Sequence, residues 1–342
     1  MKNKNITIKD VARVAGVSTQ TVSRVMNERP DVSANTRTHV KEVIDSLGYS
    51  PNAFARNLSR GRSSTLGVVG YGLEYYGSST VLTGIESKTN ELGYSLTLSL
   101  IDQYLSNRVE KVLYDFLSRR VEGIIWAVPA NVNNFKWLEE RFSKIKIPSI
   151  FINRGPTDLN FVAALDNKTG GKLATEHLIT QGYKRIGIIT GPLDWWEAKE
   201  RLAGWQEVVL NANYSNTESL IVEGGWDPPS GDVGLHTLLD RDPNIDAVFV
   251  SNDQMALGAM QAARRLGLEV PKDLGIVGFD DIPEAAYFYP SLTTIRQNTR
   301  KFGAQTVERL IELIKAQQSG ESISPDITWL EPRLIIRNSS KK

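Results

Sequence analysis

Four polar residues near the N terminus, Thr19, Gln20, Ser23 and Arg24, have types and a spacing that suit hydrogen bonds to base edges. Gln pairs naturally with adenine, and Arg with guanine, in the major groove of duplex DNA. If residues 19–27 form a helix, the apolar residues of this segment face one side and the four polar residues face the other. This face could therefore read base pairs directly.

The elements that must position this face have local sequence signals. Thr7 and Asp10 form a Ser/Thr-x-x-Asp/Glu signal, so a first helix begins just after Thr7. Gly16 can adopt the left-handed conformation that ends a helix, and Ser18 can cap the second helix. A third amphipathic helix over 33–47 would complete a small core. Two helices around a tight turn, the second one exposed, are typical of a helix-turn-helix.

The charge distribution favours the same interpretation. Residues 1–62 hold 11 Lys or Arg and 5 Asp or Glu, a net charge of +6. Because the whole chain has a net charge of +1, the rest of it is mildly acidic. A basic module joined to an acidic body suits binding to phosphates, although an ordinary solvated charged face would look similar.

After residue 64 the pattern changes to short apolar runs that alternate with amphipathic segments. This alternation predicts parallel sheets covered by helices on both faces, and the length suits two subdomains. Gly93, Gly182 and Gly267 each follow a predicted helix in a capping position. The predicted strands are 66–69, 95–100, 123–127, 149–152, 185–190, 247–250 and 274–279, and predicted helices include 79–92, 109–119, 168–181, 195–211 and 255–266.

The run Ile-Thr-Ile-Lys-Asp-Val-Ala-Arg-Val-Ala-Gly-Val-Ser-Thr-Gln-Thr-Val-Ser-Arg-Val-Met-Asn at 6–27 resembles the lac repressor family of bacterial transcription regulators. The resemblance extends over nearly the whole chain. It implies an N-terminal all-α helix-turn-helix DNA-binding domain and an α/β two-lobed effector domain. The second domain would have the periplasmic-binding-protein type I fold, with Rossmann-like parallel sheets.

The resemblance assigns roles to residues of the N-terminal module. It places Thr19, Gln20 and Arg24 at the base-reading positions, and we expect nearby polar residues to contact phosphates. The segment Asn-Ala-Phe-Ala-Arg-Asn-Leu at 52–58 matches a hinge helix whose leucine enters the minor groove. An inserted apolar side chain unstacks bases and bends the duplex. The expected phosphate contacts are Ser18, Thr21, Ser23, Asn27 and Thr36, and the expected hinge contacts are Asn52, Ala55, Arg56 and Leu58.

The expected domain boundaries follow from these matches. We predict a helix-turn-helix domain over 1–50, a hinge helix and linker over 51–64, and an effector-binding and dimerisation domain over 65–342. The chain would cross between the lobes three times, near 164–165, 291–295 and 329–332. The N-lobe would comprise about 65–164 and 295–328, and the C-lobe about 165–292 and 330–340.

Ligands of open α/β sheets bind beyond the carboxyl ends of the strands, where polar and aromatic residues of this chain collect. In the family, Arg201, Asn252 and Asp280 match residues that bind the effector, and their donors and acceptors suit a polyol such as a sugar. A structural Arg201–Asp280 ion pair and tryptophans packed in the core are the simpler alternatives. The predicted effector contacts are Tyr71, Asn153, Trp195, Trp196, Arg201, Trp226, Asn252, Asp280 and Gln297.

Several other functions are poorly supported by the sequence. The chain has three histidines and no cysteine, and it lacks a P-loop, a Gly-x-Ser-x-Gly motif and a His-Glu-x-x-His motif, so we expect neither enzyme activity nor a metal or other cofactor. Met1 leads into the first helix without an apolar leader, which disfavours a free-standing exported sugar receptor. We predict a cytoplasmic homodimeric repressor of carbohydrate-use genes. It would bind pseudo-palindromic operator DNA and a sugar-like effector but no membrane, and a corepressor response to a nucleobase or sugar phosphate is the alternative.

Overall fold

The computed structural model describes residues 6–49, 62–101, 106–128, 135–152, 154–155 and 161–342. Their contacts divide the chain into two compact units, 1–63 and 64–342. In its described part the first unit contains three helices around a small apolar core that includes Val11, Val22 and Val40. These helices are α1 (Ile8–Val14), α2 (Thr19–Met26) and α3 (Ala34–Leu47).

The predicted helix signals of the first unit are confirmed. Thr7 and Asp10 form a reciprocal capping box at the start of α1, and the Ser18 hydroxyl accepts a hydrogen bond from the backbone N–H of Thr21 at 3.0 Å. Gly16 has a φ of +65°, so a residue with a side chain would be strained in this turn. The third helix begins at Ala34 rather than Ser33, because the Ser33 side chain caps it.

In its described residues the second unit contains two six-stranded sheets, each bearing helices. All strands of the first sheet are parallel. The second sheet is parallel except for one antiparallel pair, Thr293–Arg296 with Arg333–Ile335. The first sheet has the strand order β11-β5-β4-β3-β1-β2, and the second has the order β12-β10-β9-β8-β6-β7. The strands are β1 (Thr65–Gly70), β2 (Ser95–Leu100), β3 (Gly123–Ala127), β4 (Ser149–Ile152), β5 (Phe161–Leu165), β6 (Ile186–Thr190), β7 (Ile221–Glu223), β8 (Ala247–Val250), β9 (Gly275–Asp280), β10 (Thr293–Arg296), β11 (Ile327–Leu330) and β12 (Arg333–Ile335).

The helices of the second unit mostly alternate with these strands, as expected for a fold built from βαβ units. Two single turns of 3₁₀ helix, Thr217–Leu220 and Pro283–Tyr287, lie among them. The α-helices are α4 (Tyr76–Glu91), α5 (Ser106–Ser118), α6 (Phe135–Lys144), α7 (Asn167–Thr180), α8 (Trp196–Asn211), α9 (Pro228–Arg241), α10 (Asp253–Arg265) and α11 (Thr299–Ser319).

The chain passes between the two sheets three times, and we call these passages the first, second and third crossings. The first follows β5 at Asp166, and the third lies between β11 and β12. The second follows Arg296, slightly later than the predicted 291–295, because β10 pairs with β9 and β12 in the second sheet. Residues 295–296 therefore belong to the C-lobe sheet.

The seven predicted strands are present, some with ends shifted by one residue. Five strands were not predicted: β5, β7, β10, β11 and β12. β7 and β12 have three residues each and lie at a sheet edge, so neither forms a long apolar run. In the described residues no helix is long and apolar enough to cross a membrane.

Close helix packing fixes the part of the C-lobe that carries the predicted ligand residues. A Cβ atom on Gly171 of α7 would lie 2.3 Å from the backbone oxygen of Arg201, and one on Gly204 of α8 would lie 2.2 Å from that of Lys168. The two glycines therefore allow α7 and α8 to approach with their backbones almost in contact. As a result, the start of α7 lies beside Arg201.

Candidate nucleic-acid interface and effector cleft

The outer face of α2 carries the residues predicted to read bases. Thr19, Gln20 and Arg24 are exposed, whereas Val22 and Val25 on the opposite side are buried. The helix has eight residues, and its N-terminal turn carries two of the predicted base-reading residues, Thr19 and Gln20. This geometry suits insertion of the helix N terminus into a major groove.

Arg24 has Asp31 as a carboxylate neighbour. Its Nη1 lies 3.4 Å from Oδ2 of Asp31, and both side chains are about half exposed. An exposed pair of this kind contributes about 0–1 kcal/mol to stability. Its main consequence is therefore local: the carboxylate limits the positions of the guanidinium and reduces the positive charge beside α2.

The residues predicted to contact phosphates mostly cap or brace the helices. The hydroxyls of Ser18 and Thr21 lie 2.9 Å apart at the start of α2, and Ser33 caps α3 beside Thr36. Asn27 donates its side-chain N–H to the backbone oxygen of a residue one turn earlier, Ser23, at 2.7 Å. The starts of α2 and α3 carry N–H groups and a positive dipole end, which favour phosphate contact.

In the second unit, a cavity lies where the two lobes meet. Its volume is about 110 Å³, enough for several water molecules. Residues of β1, α4 and β3 line it from the N-lobe. From the C-lobe it is lined by residues at the start of α8, after β7, beyond the end of β8 and at the end of β9. Of the predicted effector residues, the cavity wall contains Tyr71, Trp195, Arg201, Trp226, Asn252, Asp280 and Gln297.

Arg201 is buried and is held from several sides. Its Nε donates to Oδ1 of Asn167 at 2.9 Å, and its Nη1 donates to the backbone oxygen of Ser251. Its guanidinium carbon lies 3.7 Å from the ring centroid of Phe279, and its Nη2 lies 3.7 Å from Oδ1 of Asp280. Arg201 thus has a structural role in addition to the predicted ligand contact.

Asp280 ends β9 with a φ of +106°, an uncommon backbone conformation for a residue other than glycine. Burial raises the pKa of its carboxyl group to about 6, and the nearby Arg201 opposes that rise only in part. Burial likewise lowers the pKa of Arg201. Desolvation therefore outweighs the attraction between the two charges, as is common for buried ion pairs.

Asn252 and Trp226 are joined at the C-lobe wall. The Asn252 side chain donates to the backbone oxygen of Trp226 at 2.9 Å and accepts from the N–H of Met255 at 2.8 Å, so it caps α10. Trp226 is buried, and its ring occupies the space beside Gly191, where a Cβ atom would lie 2.1 Å from the ring. Among the described residues its indole Nε1 has no hydrogen-bond partner.

Trp195 connects the two lobes through aromatic contacts. Its ring makes edge contacts with the rings of Tyr71 and Tyr75 of the N-lobe, at centroid distances of 5.8 and 5.5 Å. It also contacts the ring of Trp226 of the C-lobe, at a centroid distance of 5.9 Å. These contacts form an aromatic wall on one side of the cavity. Rings of this kind suit the apolar face of a small ligand.

Two predicted contacts differ from the rest. Trp196 is absent from the residues that line the cavity; its ring packs 6.3 Å from that of Trp329, at the third crossing. Trp196 is the first residue of α8, whereas Trp195 is the N-cap and has an extended backbone, so the two neighbours do not share one helical face. Outside the described residues lie Asn153 and the four predicted hinge contacts, Asn52, Ala55, Arg56 and Leu58.

Several cavity residues were not predicted as contacts. Tyr75, Tyr76, Glu197 and Gln254 all line the wall. The two tyrosines lie in the short segment after β1 that also contains the predicted contact Tyr71, so their residue type and position after a strand were the available signal. Asn167 was missed entirely because its partners lie 34 and 130 residues away in the sequence.

Comparison with protein families agrees with the two units. Residues 7–52 match the model of bacterial regulatory proteins of the lacI family, and residues 175–340 match that of a periplasmic binding protein-like domain. The chain is 33% identical over 315 residues to the lactose operon repressor of Escherichia coli (strain K12), covering 92% of this chain and 86% of the relative. It is 36% identical over 337 residues to the HTH-type transcriptional repressor PurR of Haemophilus influenzae (strain PittEE), covering 98% of both.

Solved structures show the same similarity. A lac repressor dimer bound to operator and the anti-inducer ONPF matches with a TM-score of 0.87 and 32% identity, over 99% of this chain and all of that chain. A complex of the transcriptional regulator CelR with cellobiose matches with a TM-score of 0.72 and 30% identity, over 98% of this chain and 99% of that chain. A helix-turn-helix unit followed by a two-lobed α/β unit defines an effector-responsive transcription regulator. This chain belongs to the lacI family of bacterial regulatory proteins.

Proposed function

We propose that this chain is a homodimeric transcriptional repressor that reads operator DNA with α2 and responds to a small sugar in the lobe cleft. The observation that carries the proposal is the wall of the cavity. One side presents the buried Arg201 and Asn252 and the partly buried Asp280, and the other presents aromatic and aliphatic side chains. A pyranose has a hydroxyl-rich edge and an apolar face, so it complements both sides.

The charges of the cleft favour a neutral polyol over a sugar phosphate. The one arginine among the described cavity residues already has the carboxylate of Asp280 as a neighbour, and Glu197 lines the same wall. A phosphate group would face both carboxylates. A polyol can instead donate to Asp280 and accept from Arg201. The relative CelR was solved with cellobiose, which supports a sugar as the ligand class.

A thermal-shift screen of sugars, nucleobases and sugar phosphates tests this proposal. A ligand present at a hundred times its dissociation constant stabilises the protein by about 2.7 kcal/mol. We expect a stabilising sugar, and we expect the Asp280→Asn variant to lose that stabilisation. A shift with nucleobases alone would favour the corepressor alternative, and a sugar that stabilises Asp280→Asn equally would contradict the assigned site.

The operator part of the proposal rests on the exposed polar face of α2. A two-fold operator requires a two-fold protein, and the lac repressor relative was solved as a dimer on its operator. Selection from a randomised duplex library should enrich a pseudo-palindromic sequence. Recovery of sequences without two-fold symmetry would contradict a homodimer that reads two half-sites.

A further inference from the structure

Asn167 occupies a junction of the lobes and the cleft. It is the first residue of α7, directly after the first crossing, and it is fully buried. Its side-chain N–H donates to the backbone oxygen of Leu165 at 3.1 Å. Its Oδ1 accepts two hydrogen bonds, from Nε of Arg201 at 2.9 Å and from Nε2 of Gln297 at 3.2 Å.

The two donors belong to different parts of the second unit. Arg201 lies on α8 and faces the cavity, whereas Gln297 lies on the second crossing, between β10 and α11. When two lobes change their mutual angle, the crossings absorb the change in backbone torsion. One oxygen atom of Asn167 thus joins a ligand-facing cation to two of the three segments about which the lobes would rotate.

Helix capping does not explain these contacts. The cap of α7 is Asp166, whose carboxylate accepts from both the N–H and the hydroxyl of Thr169. The position of Asn167 relative to Arg201 is fixed by the close approach of α7 and α8 at Gly171. With its Nε bound to Asn167 and its plane against Phe279, the guanidinium directs Nη2 towards Asp280.

We infer that Asn167 is a positioning residue that orients Arg201 for the effector and couples its position to the second crossing through Gln297. This inference rests on the proposed effector site. Two donors share one acceptor, so a ligand that draws Arg201 towards the cavity changes the hydrogen bond that remains for Gln297. Buried polar networks of this kind couple their members strongly.

Hydrogen–deuterium exchange of the full chain without ligand tests the coupling. Arg201→Lys removes the Nε donor but keeps the positive charge. The reporter is the second crossing, where the backbone N–H of Thr299 donates a hydrogen bond to the backbone oxygen of Gln297 at 2.9 Å. We expect Arg201→Lys to change the exchange rate of the Thr299 N–H by about threefold or more. A change of this size corresponds to the lower end of the interaction energies found between residues of one hydrogen-bond network. In an Asn167→Ala background the same substitution should have no further effect.

Two further variants separate coupling from a loss of stability. Asn298→Ala removes another asparagine at the second crossing, an exposed cap that is bonded to the N–H of Lys301, and the effect of Arg201→Lys should persist there. Asn167→Asp retains the acceptor for both donors and should retain the coupling. If Asn167→Ala does not fold, Gln297→Met removes the same hydrogen bond from its other end and should abolish the effect on the exchange of Thr299.

The result that would overturn the inference is additivity. If Arg201→Lys changes exchange at the second crossing equally in the wild-type and Asn167→Ala backgrounds, Asn167 does not transmit the change. No change in any background would also overturn it. Since no ligand is present, a failed sugar screen would leave this measurement valid, so the two proposals can fail separately.

Discussion

Asp280→Asn should make the protein more stable at neutral pH. The pKa of Asp280 is raised from 3.8 to about 6 by burial. Folding with this carboxylate charged is therefore about 3 kcal/mol less favourable than folding with it protonated. Asparagine resembles the protonated acid in shape and carries no charge. Arg201 keeps its hydrogen bonds to Asn167 and to the backbone of Ser251 in this variant, and the amide oxygen of the new asparagine still faces Nη2, which lies 3.7 Å from Oδ1 of Asp280.

The sign of the pH dependence follows from proton binding. Between pH 3.8 and about 6 the native state holds a proton on Asp280 that the unfolded state has released. The contribution of this group to stability is therefore present at low pH and is lost as pH rises through 6. The free energy of unfolding of Asp280→Asn minus that of wild type should be close to zero near pH 4 and about +3 kcal/mol at pH 7.

Urea unfolding at several pH values, followed by tryptophan fluorescence, measures this difference. All seven tryptophans lie in residues 65–342, so the signal reports the unit that contains Asp280. Groups that do not interact with Asp280 cancel in the difference. Asp253 does not cancel fully, because burial and the nearby Asp280 together raise the pKa of its carboxyl group. A pH-independent difference, or a variant that is less stable than wild type at pH 7, would show that the attraction to Arg201 outweighs the desolvation of Asp280.

Three further predictions concern other parts of the chain. Gln20→Ala should cost about 1–3 kcal/mol on the selected operator in fluorescence anisotropy; an equal loss on random DNA would argue against base reading. Asp31→Asn releases Arg24 from its ion pair and removes a negative charge near phosphates, so it should strengthen binding to random duplexes at low salt, and unchanged affinity would contradict this. Gly171→Ala places a Cβ atom 2.3 Å from a backbone oxygen of α8, so it should destabilise the second unit by about 1–3 kcal/mol in a melting curve, whereas the exposed capping glycine Gly182 offers a control at which strain arises from φ alone.

The helix-turn-helix was predictable because its signals are local. Thr7 with Asp10, Ser18 with the N–H of Thr21, and the turn at Gly16 each act within four residues, so residue type and spacing suffice. The alternation of strands and helices in the second unit was predictable for a similar reason. Short edge strands such as β7 and β12 have too few residues to show a hydrophobic pattern.

The interior of the cleft was only partly predictable. Residue types at strand ends, together with the family resemblance, pointed to Arg201, Asn252 and Asp280, and all three line the cavity. They did not reveal that Trp196 packs against Trp329. Such contacts depend on how helices and crossings far apart in sequence meet, and a single sequence contains no local signal for them.

The energetics of the cleft suggest how ligand binding could move the lobes. Desolvation raises the pKa of Asp280 and lowers that of Arg201, so the attraction between their charges does not repay the cost of burying them. A sugar hydroxyl that donates to the carboxylate, and another that accepts from the guanidinium, would supply the missing hydrogen bonds. The free energy released would be greatest in the lobe arrangement that brings both groups to the ligand. Arg201 and Gln297 donate to the same oxygen of Asn167. A movement of Arg201 towards the ligand would therefore alter the hydrogen bond at the second crossing, and the angle between the lobes would change when ligand binds.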